Sequence, residues 1–154
     1  MTFTAFIPGH TPGKARPRVT RKGTFMPHPY ERWMKRACLR AKAAHALDGA
    51  TTITTPVAIS IVVTVWAPER RPAKTAPARP LWHKPTATKK VFPWIGTRGD
   101  ADNVAGSVLD ALVKARVIDD DRLVGKLEIT LLATHDPELV GASVTVCPLI
   151  GGEE

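Results

Sequence analysis

Acidic residues are concentrated in one part of a chain that is otherwise basic. Six of the 14 acidic residues lie between Gly99 and Arg122, although the 154-residue protein carries a formal net charge of +8. They include a pair at Asp100 and Asp102 and a run at 119–121. Neighbouring carboxylates bind divalent cations, and a positively charged protein attracts polyanions. The sequence therefore predicts a metal site that acts on nucleic acid.

Each acidic group also has an ordinary structural interpretation, and both interpretations are open at this point. Asp100 and Asp102 stand at the start of a helix, where one can act as the N-cap and the other can be exposed near the positive end. Residues 119–121 can be a solvated turn. A helix of about four turns would separate the two groups by ~20 Å. Either the second group folds back across the helix, or a partner subunit lies close to the site.

Hydrophobic periodicity predicts a single α+β domain over residues 1–154, with a mixed β-sheet packed against two main helices. Apolar residues at three- and four-residue spacing predict the helices. Alternation and β-branched runs predict the strands. The predicted elements, in chain order, are a strand at 2–7, a helix at 30–47, a strand at 56–66, a helix at 102–115, and strands at 123–134 and 142–146.

Positive charge is concentrated in two segments without helical periodicity. The prolines and glycines of His10–Arg18 exclude a helix and predict an extended basic arm or hairpin. Residues 68–98 read as a long basic loop, with five prolines between Arg70 and Arg98. Cations of this kind bind phosphates without reading bases, although solubility or a disordered insertion also explains the loop. The predicted DNA-binding residues are Lys14, Arg16, Arg18, Arg21, Lys22, Lys74, Lys84, Lys89, Lys90 and Arg98.

Composition argues against several other classes of protein. Cys38 and Cys147 lie far apart and form no CxxC pair, and the five histidines show no zinc-ligand spacing with them. No apolar run reaches the ~18 residues that a membrane helix requires. The N-terminus lacks the features of a signal peptide. We therefore expect a cytoplasmic protein without a membrane role.

Three separated motifs occur in order along the chain, GDADN at 99–103, VLDAL at 108–112 and VIDDDRLV at 117–124, and a basic segment, PGKARPR, precedes them at 12–18. The three motifs resemble the RusA family of Holliday junction resolvases, which is found in bacteria and commonly in prophages. The basic segment resembles the K-x-R-P-R segment of phage-type members.

The resemblance implies a RusA-like homodimeric endonuclease that cuts four-way DNA junctions by paired symmetrical phosphodiester hydrolysis. It also implies a requirement for Mg²⁺, with Mn²⁺ as a substitute. Carried over by position, Asp100, Asp102 and Asp121 are the catalytic, metal-binding residues. Asp120 is a further metal-binding carboxylate, and Asn103 has a supporting role. Mg²⁺ prefers carboxylate oxygens and keeps several waters, so three aspartates can hold it and activate a water.

One position departs from the family pattern. The family usually has a lysine four residues after the second aspartate, where this sequence has Gly106. Glycine in a helix interior costs ~1 kcal/mol relative to alanine and brings no charge. One interpretation of Gly106 is a catalytically weak junction-binding protein that retains the fold. The other is a replacement cation from Lys14, Arg98, Lys114 or Lys126. A separate alternative is a basic RNA-binding protein whose acidic residues are only surface turns.

Overall fold

A computed structural model of the chain describes residues 2–15, 17–21, 23–47, 49, 51–67, 92–93 and 100–149. Within these residues, short 3₁₀ helices at Asp121–Leu123 and Pro137–Leu139 flank the sixth strand. The helices and strands, in chain order, are β1 Phe3–Pro8, β2 Arg18–Thr20, β3 Gly23–Phe25, α1 His28–Leu47, β4 Val57–Trp66, β5 Phe92–Pro93, α2 Ala101–Lys114, β6 Val124–Thr134 and β7 Gly141–Pro148.

The main sheet is mixed and has the strand order β1-β7-β4-β6-β5. Strands β4 and β6 are parallel, and the other pairings in the sheet are antiparallel. Alternate residues of β4 are buried, from Val57 to Val63, because its β-branched side chains face the helices on one side only. Since α2 lies in the connection between β4 and β6, these elements form a β-α-β unit. The predicted α+β class is confirmed.

Both helices contribute one face to the core. Helix α1 buries Trp33 and Ala37, and α2 buries Val108 and Leu112. These side chains join the buried residues of β1, β4 and β7 in one hydrophobic cluster. Burying a side chain such as Val108 or Leu112 stabilises the fold by roughly 1.5–3 kcal/mol, so α2 is held firmly against α1 and the sheet. Among the described residues, neither helix combines the length and the apolar character needed to cross a membrane.

The segment predicted at His10–Arg18 to be an extended arm or a hairpin is an irregular arm, and a hairpin begins only at its last residue. Gly9 has φ +92°, a left-handed conformation that turns the chain out of β1, and its N–H donates to the carbonyl of Val140 at 2.8 Å. An irregular stretch follows, and β2 and β3 then form an antiparallel hairpin in which Arg18 pairs with Phe25. The extended arm and the hairpin therefore occur one after the other.

Most of the proline-rich segment predicted at 68–98 lies outside the described residues. Its described part, Phe92–Pro93, forms β5 and pairs with Ala133 and Leu132 at the end of β6. The sequence did not indicate this strand, because two residues are too few to show a period. Strand β5 brings the chain to one end of the sheet shortly before α2 begins.

Candidate active site

Asp100 and Asp102 lie together at the N-terminus of α2. Asp100 has the extended backbone of an N-cap, and its carbonyl accepts a hydrogen bond from Val104 N at 3.1 Å. Its carboxylate makes no capping hydrogen bond, and Oδ2 instead accepts a hydrogen bond from Asn103 Nδ2 at 3.3 Å. Asp102, in the first turn, is exposed. Capping thus uses the backbone of Asp100 and leaves both carboxylates available for a ligand.

The basic arm docks on the same first turn of α2. The N–H of Lys14 donates to the carbonyl of Asn103 at 2.9 Å, and the hydroxyl of Ser107 donates to that same oxygen at 3.3 Å. Gly13 approaches closely enough that a Cβ there would lie 3.4 Å from Cβ of Asn103. Asn103 therefore links the acidic pair, through Asp100, to the arm, through Lys14.

The side chain of Lys14 lies along α2 over Gly106. A Cβ on Gly106 would be 3.4 Å from Cδ of Lys14, and the Lys14 ammonium is 3.2 Å from Oδ1 of Asp110. Residues 102, 106 and 110 share one face of the helix, because they are spaced four apart. Lys14 thus packs across Gly106, and a cation from the arm reaches the helix face that carries Asp102.

Asp110 is held from its other side by α1. Its Oδ2 accepts a hydrogen bond from the hydroxyl of Tyr30 at 3.3 Å, and Tyr30 is only 4% exposed. Burial and the neighbouring Asp110 carboxylate raise the pKa of the Tyr30 phenol, so that the phenol keeps its proton and remains a donor. The chain Tyr30–Asp110–Lys14 fixes where the ammonium rests. The sequence placed Asp110 correctly on a helix but gave no sign of this partner.

The four candidates for a replacement cation have different positions. Lys14 is on the α2 face just described. Lys114 is in the last turn of α2, and Lys126 is in β6. Arg98 lies outside the described residues.

The second acidic group follows a tight C-terminal cap of α2. Arg116 adopts φ +60°, its N–H donates to Val113 O, and the N–H of Val117 donates to Leu112 O, both at 3.0 Å. This is the Schellman pattern, in which glycine usually occupies the left-handed position. The cap turns the chain towards Ile118, which forms a parallel bridge with Ile53 just before β4. Residues 119–121 are thus fixed at the end of the sheet where β4 and β6 begin.

Two of the three carboxylates in this group have arginine partners. Asp119 pairs with Arg116 at 3.2 Å. Asp120 accepts hydrogen bonds from the backbone N–H of Arg122 at 2.8 Å and from its Nε and Nη2 at 2.9 Å. The side-chain and backbone hydrogen bonds of Arg122 lower the pKa of Asp120 from 3.8 to about 2. Asp121 is exposed and forms no ion pair with any described residue.

The two acidic groups lie at opposite ends of α2. Strand β5 precedes α2 and pairs with the end of β6, whereas residues 119–121 precede the start of β6. The 14 residues of α2 span ~21 Å. Within the part of the chain that the structure describes, no three Asp, Glu, His or Cys side chains form a group that could hold a metal. A single chain therefore gathers Asp100 and Asp102 but not Asp120 and Asp121.

Three of the residues predicted to bind DNA, Lys14, Arg18 and Arg21, lie within the described part of the chain. Lys14 is half exposed, and Arg18 and Arg21 are exposed on the hairpin. A set of cations that the sequence analysis did not single out lies on α1, where Arg32, Lys35 and Arg36 line a cavity. The spacing of Arg32 and Arg36, one helical turn apart, was the available signal. The predicted contacts outside the described residues are Arg16, Lys22, Lys74, Lys84, Lys89, Lys90 and Arg98.

Free carboxylates at a helix terminus, beside a docked basic arm in a strongly basic α+β protein, are features of a hydrolase that acts on nucleic acid. Comparison with known families supports this class and makes it specific. Residues 8–145 match the family described as Endodeoxyribonuclease RusA. Because the match covers most of the chain, from the end of β1 into β7, the chain belongs to the RusA endodeoxyribonuclease family, a family of Holliday junction resolving nucleases. No curated protein matches the chain significantly.

Proposed function

We propose that the protein is a Mg²⁺-dependent, structure-selective endonuclease that resolves four-way DNA junctions by paired symmetrical phosphodiester hydrolysis. The observation that supports this most directly is the acidic pair at the start of α2, because neither carboxylate caps the helix. The family to which the chain belongs supports the same function. The net charge of +8 favours DNA as the partner. A bacterial cytoplasm, with the gene in a host or a prophage, is the setting that fits this activity.

The donor set fits a hard divalent cation. Asp100 and Asp102 offer only carboxylate oxygens, which Mg²⁺ prefers, and the helix N-terminus stabilises their negative charge. In the proposal, Asp121 completes the set and Asp120 supports it after release from Arg122. Asn103 orients Asp100 through the 3.3 Å hydrogen bond. Bound Mg²⁺, or Mn²⁺ in its place, would activate a water and offset charge on the scissile phosphate.

A homodimer supplies the residues that a single chain keeps apart. Because α2 separates the two acidic groups by ~21 Å, Asp121 of the same chain does not reach Asp100. In the proposed dimer each site takes Asp100 and Asp102 from one subunit and Asp121 from the other. Two such sites, related by the dimer symmetry, account for a pair of cuts in opposite strands.

Lys14 provides the positive charge that α2 lacks at Gly106. Its ammonium rests on Asp110, in an ion pair that is half exposed on the lysine side. Exposed pairs contribute only about 0–1 kcal/mol, so a phosphate can replace Asp110 as the partner at little cost. The arm beyond Lys14 carries Arg18 and Arg21 into solvent, where they can contact further phosphates.

Cleavage of a labelled four-way junction tests the proposal. We expect symmetrical nicks with Mg²⁺ but none with Ca²⁺ or EDTA, and little cutting of a linear duplex. Asp100→Asn should abolish the nicks while junction binding persists. Binding without any nicking by the unaltered protein would instead indicate a junction-binding protein, and preference for RNA would exclude both functions.

The shared site is tested by mixing two inactive variants. A heterodimer of Asp100→Asn and Asp121→Asn chains has one site with both substitutions and one site with neither, if each site is shared between subunits. Co-expression of two tagged chains should therefore restore nicking of one strand. If each site belonged to a single chain, every site in the heterodimer would lack a ligand and no nicking would return.

A further inference from the structure

A cavity with unpartnered positive charge lies between the start of the basic arm and α1. It has a volume of about 580 Å³. We call it the basic cavity. The lining residues on which the argument depends are His10, Pro12, Arg32, Trp33, Lys35 and Arg36.

The lining is rich in hydrogen-bond donors that have no acceptor. Neither Arg32 nor Arg36 forms an ion pair or a side-chain hydrogen bond with a described residue, and the Arg36 guanidinium lies near Gly9, 3.9 Å from where a Cβ would be. Glu31, on the same helix, pairs instead with Lys35 at 3.4 Å. Two guanidinium groups therefore face the cavity without a counter-ion, and their fork of donors suits a phosphate.

A buried donor gives a second, independent indication of a ligand. Trp33 is 1% exposed, and its indole Nε1 has no hydrogen-bond partner. The hydroxyl of Thr11, which lies between two lining residues in sequence, is also buried and unpartnered. Buried polar groups are nearly always hydrogen-bonded, because leaving one unpaired costs free energy. Of the two, only Trp33 is a lining residue of the cavity, so its indole N–H is the unpaired donor that an anion there could satisfy.

The basic cavity is adjacent to the candidate active site along the chain. Pro12 lines the cavity, and Lys14, two residues later, is hydrogen-bonded to the first turn of α2. Two residues of extended chain span about 7 Å at most. A DNA strand held at α2 would therefore bring nearby phosphates within reach of the cavity.

We propose that the basic cavity is a second phosphate-binding site, which holds the backbone of the junction DNA a few nucleotides from the cut. Arg32 and Arg36 bind the phosphate oxygens, and the indole of Trp33 lies at the base of the site. This inference rests on the proposed function, since it assumes that the same strand passes α2. It adds a DNA contact that is made by α1.

Binding of a fluorescent four-way junction in Ca²⁺ tests the site without cleavage. Compared with the unaltered protein, Arg32→Gln and Arg36→Gln should each weaken binding roughly tenfold, since each removes charge-assisted hydrogen bonds. In the double variant, the slope of log affinity against log salt should fall by about 1.8, for two lost phosphate contacts. Arg40→Gln is the matched control, because Arg40 is an exposed arginine of α1 that does not line the cavity. Thermal unfolding verifies that each variant is folded. Arg36→Lys keeps the positive charge, so its slope of log affinity against log salt should lie closer to that of the unaltered protein than the slope of Arg36→Gln does.

The indole of Trp33 gives a direct readout. The chain has four tryptophans, so ¹⁵N spectra contain four indole N–H signals, and the signal missing in Trp33→Phe belongs to Trp33. That signal should shift when a short DNA duplex is added. A shift with inorganic phosphate but not with DNA would overturn the proposal in favour of a site for a free anion.

The two proposals fail in different ways. If the double variant binds the junction with the affinity and salt slope of Arg40→Gln, the cavity does not contact DNA and the proposed function is unaffected. If the unaltered protein does not bind the junction at all, both proposals fail.

Discussion

The two acidic groups at the ends of α2 have similar composition but opposite surroundings. At the N-terminal end, Asp100 and Asp102 have no arginine or lysine partner among the described residues. At the C-terminal end, Asp119 and Asp120 are each paired with a nearby arginine. The carboxylates of the first pair therefore remain available for a ligand, whereas two of the three carboxylates in the second group form ion pairs that stabilise a turn. A count of acidic residues does not reveal this difference.

The largest expected effect separates the two groups by catalysis. Asp102→Asn should lower junction cleavage by at least about 100-fold, because even residues that only support a metal ligand typically contribute 10- to 100-fold. Asp119→Asn is the matched change at the other end. It loses only an exposed pair with Arg116 and should cut the junction at about the rate of the unaltered protein. Single-turnover rates with Mg²⁺ measure both. Equal losses in the two variants would show that the comparison is wrong.

The next effect concerns stability at the C-terminal end. Arg116→Val should destabilise the protein by roughly 1 kcal/mol, because Arg116 already bears the ordinary left-handed cost at φ +60° and a β-branched residue adds strain to it. Arg116→Gly loses the pair with Asp119 but fits the cap, so its unfolding free energy should stay close to that of the unaltered protein. Urea unfolding measures both. If Arg116→Val is as stable as Arg116→Gly, the left-handed conformation at residue 116 does not restrict which residue this turn accepts.

Substitution of Gly106, in the N-terminal half of α2, should change stability by a smaller amount. Gly106→Ala should stabilise the protein by up to ~1 kcal/mol, since alanine is the better helix former and its Cβ would meet Lys14 at an ordinary 3.4 Å. Urea unfolding at neutral pH measures the gain. A loss of stability would mean that Lys14 packs over Gly106 too tightly to accept a methyl group.

A longer side chain at this position tests the source of the positive charge. Gly106→Lys must displace Lys14, so turnover should not rise above that of the unaltered protein. Gly106→Met controls for the displacement without the charge. A clear increase in cleavage by Gly106→Lys alone would mean that the site lacks a cation and that Lys14 does not replace it.

The smallest effect is a pH dependence at the C-terminal end. Hydrogen bonds from Arg122 depress the pKa of Asp120 from 3.8 to about 2. A depressed carboxyl pKa stabilises the folded state above about pH 4, and this contribution is lost as the pH falls through 2. Arg122→Gln should raise the pKa of Asp120 and flatten this part of the stability profile, as measured by NMR titration and melting temperature from pH 5 to pH 2. An unchanged Asp120 titration would contradict the hydrogen-bond assignment.

Most of the fold could be predicted because each long element has a clear period. The two helices and the strands β1, β4, β6 and β7 appear where their apolar patterns place them, within a few residues. Strand β5 was not predicted, since its two residues carry no pattern and depend on pairing with β6.

The site was less accessible to sequence reasoning, because its geometry depends on contacts between distant segments. The contact between Lys14 and α2 joins positions 96 residues apart, from Lys14 to Asp110, and no local spacing records it. The basic cavity likewise requires the turn at Gly9 to bring the arm against α1. In contrast, the helix length alone predicts a separation of ~20 Å along α2, and the structure supplies what the sequence left open, namely that residues 119–121 stay at the far end of the helix.

The length of helix α2 has a further consequence for the site. Its length fixes the spacing between the acidic groups, and each inserted residue would add 1.5 Å and rotate one end by about 100° relative to the other. Insertion of four residues would nearly restore the rotation but lengthen the spacing by about 6 Å. If two subunits must place complementary ends together, the length of α2 is as constrained as its site residues Asp102 and Asn103.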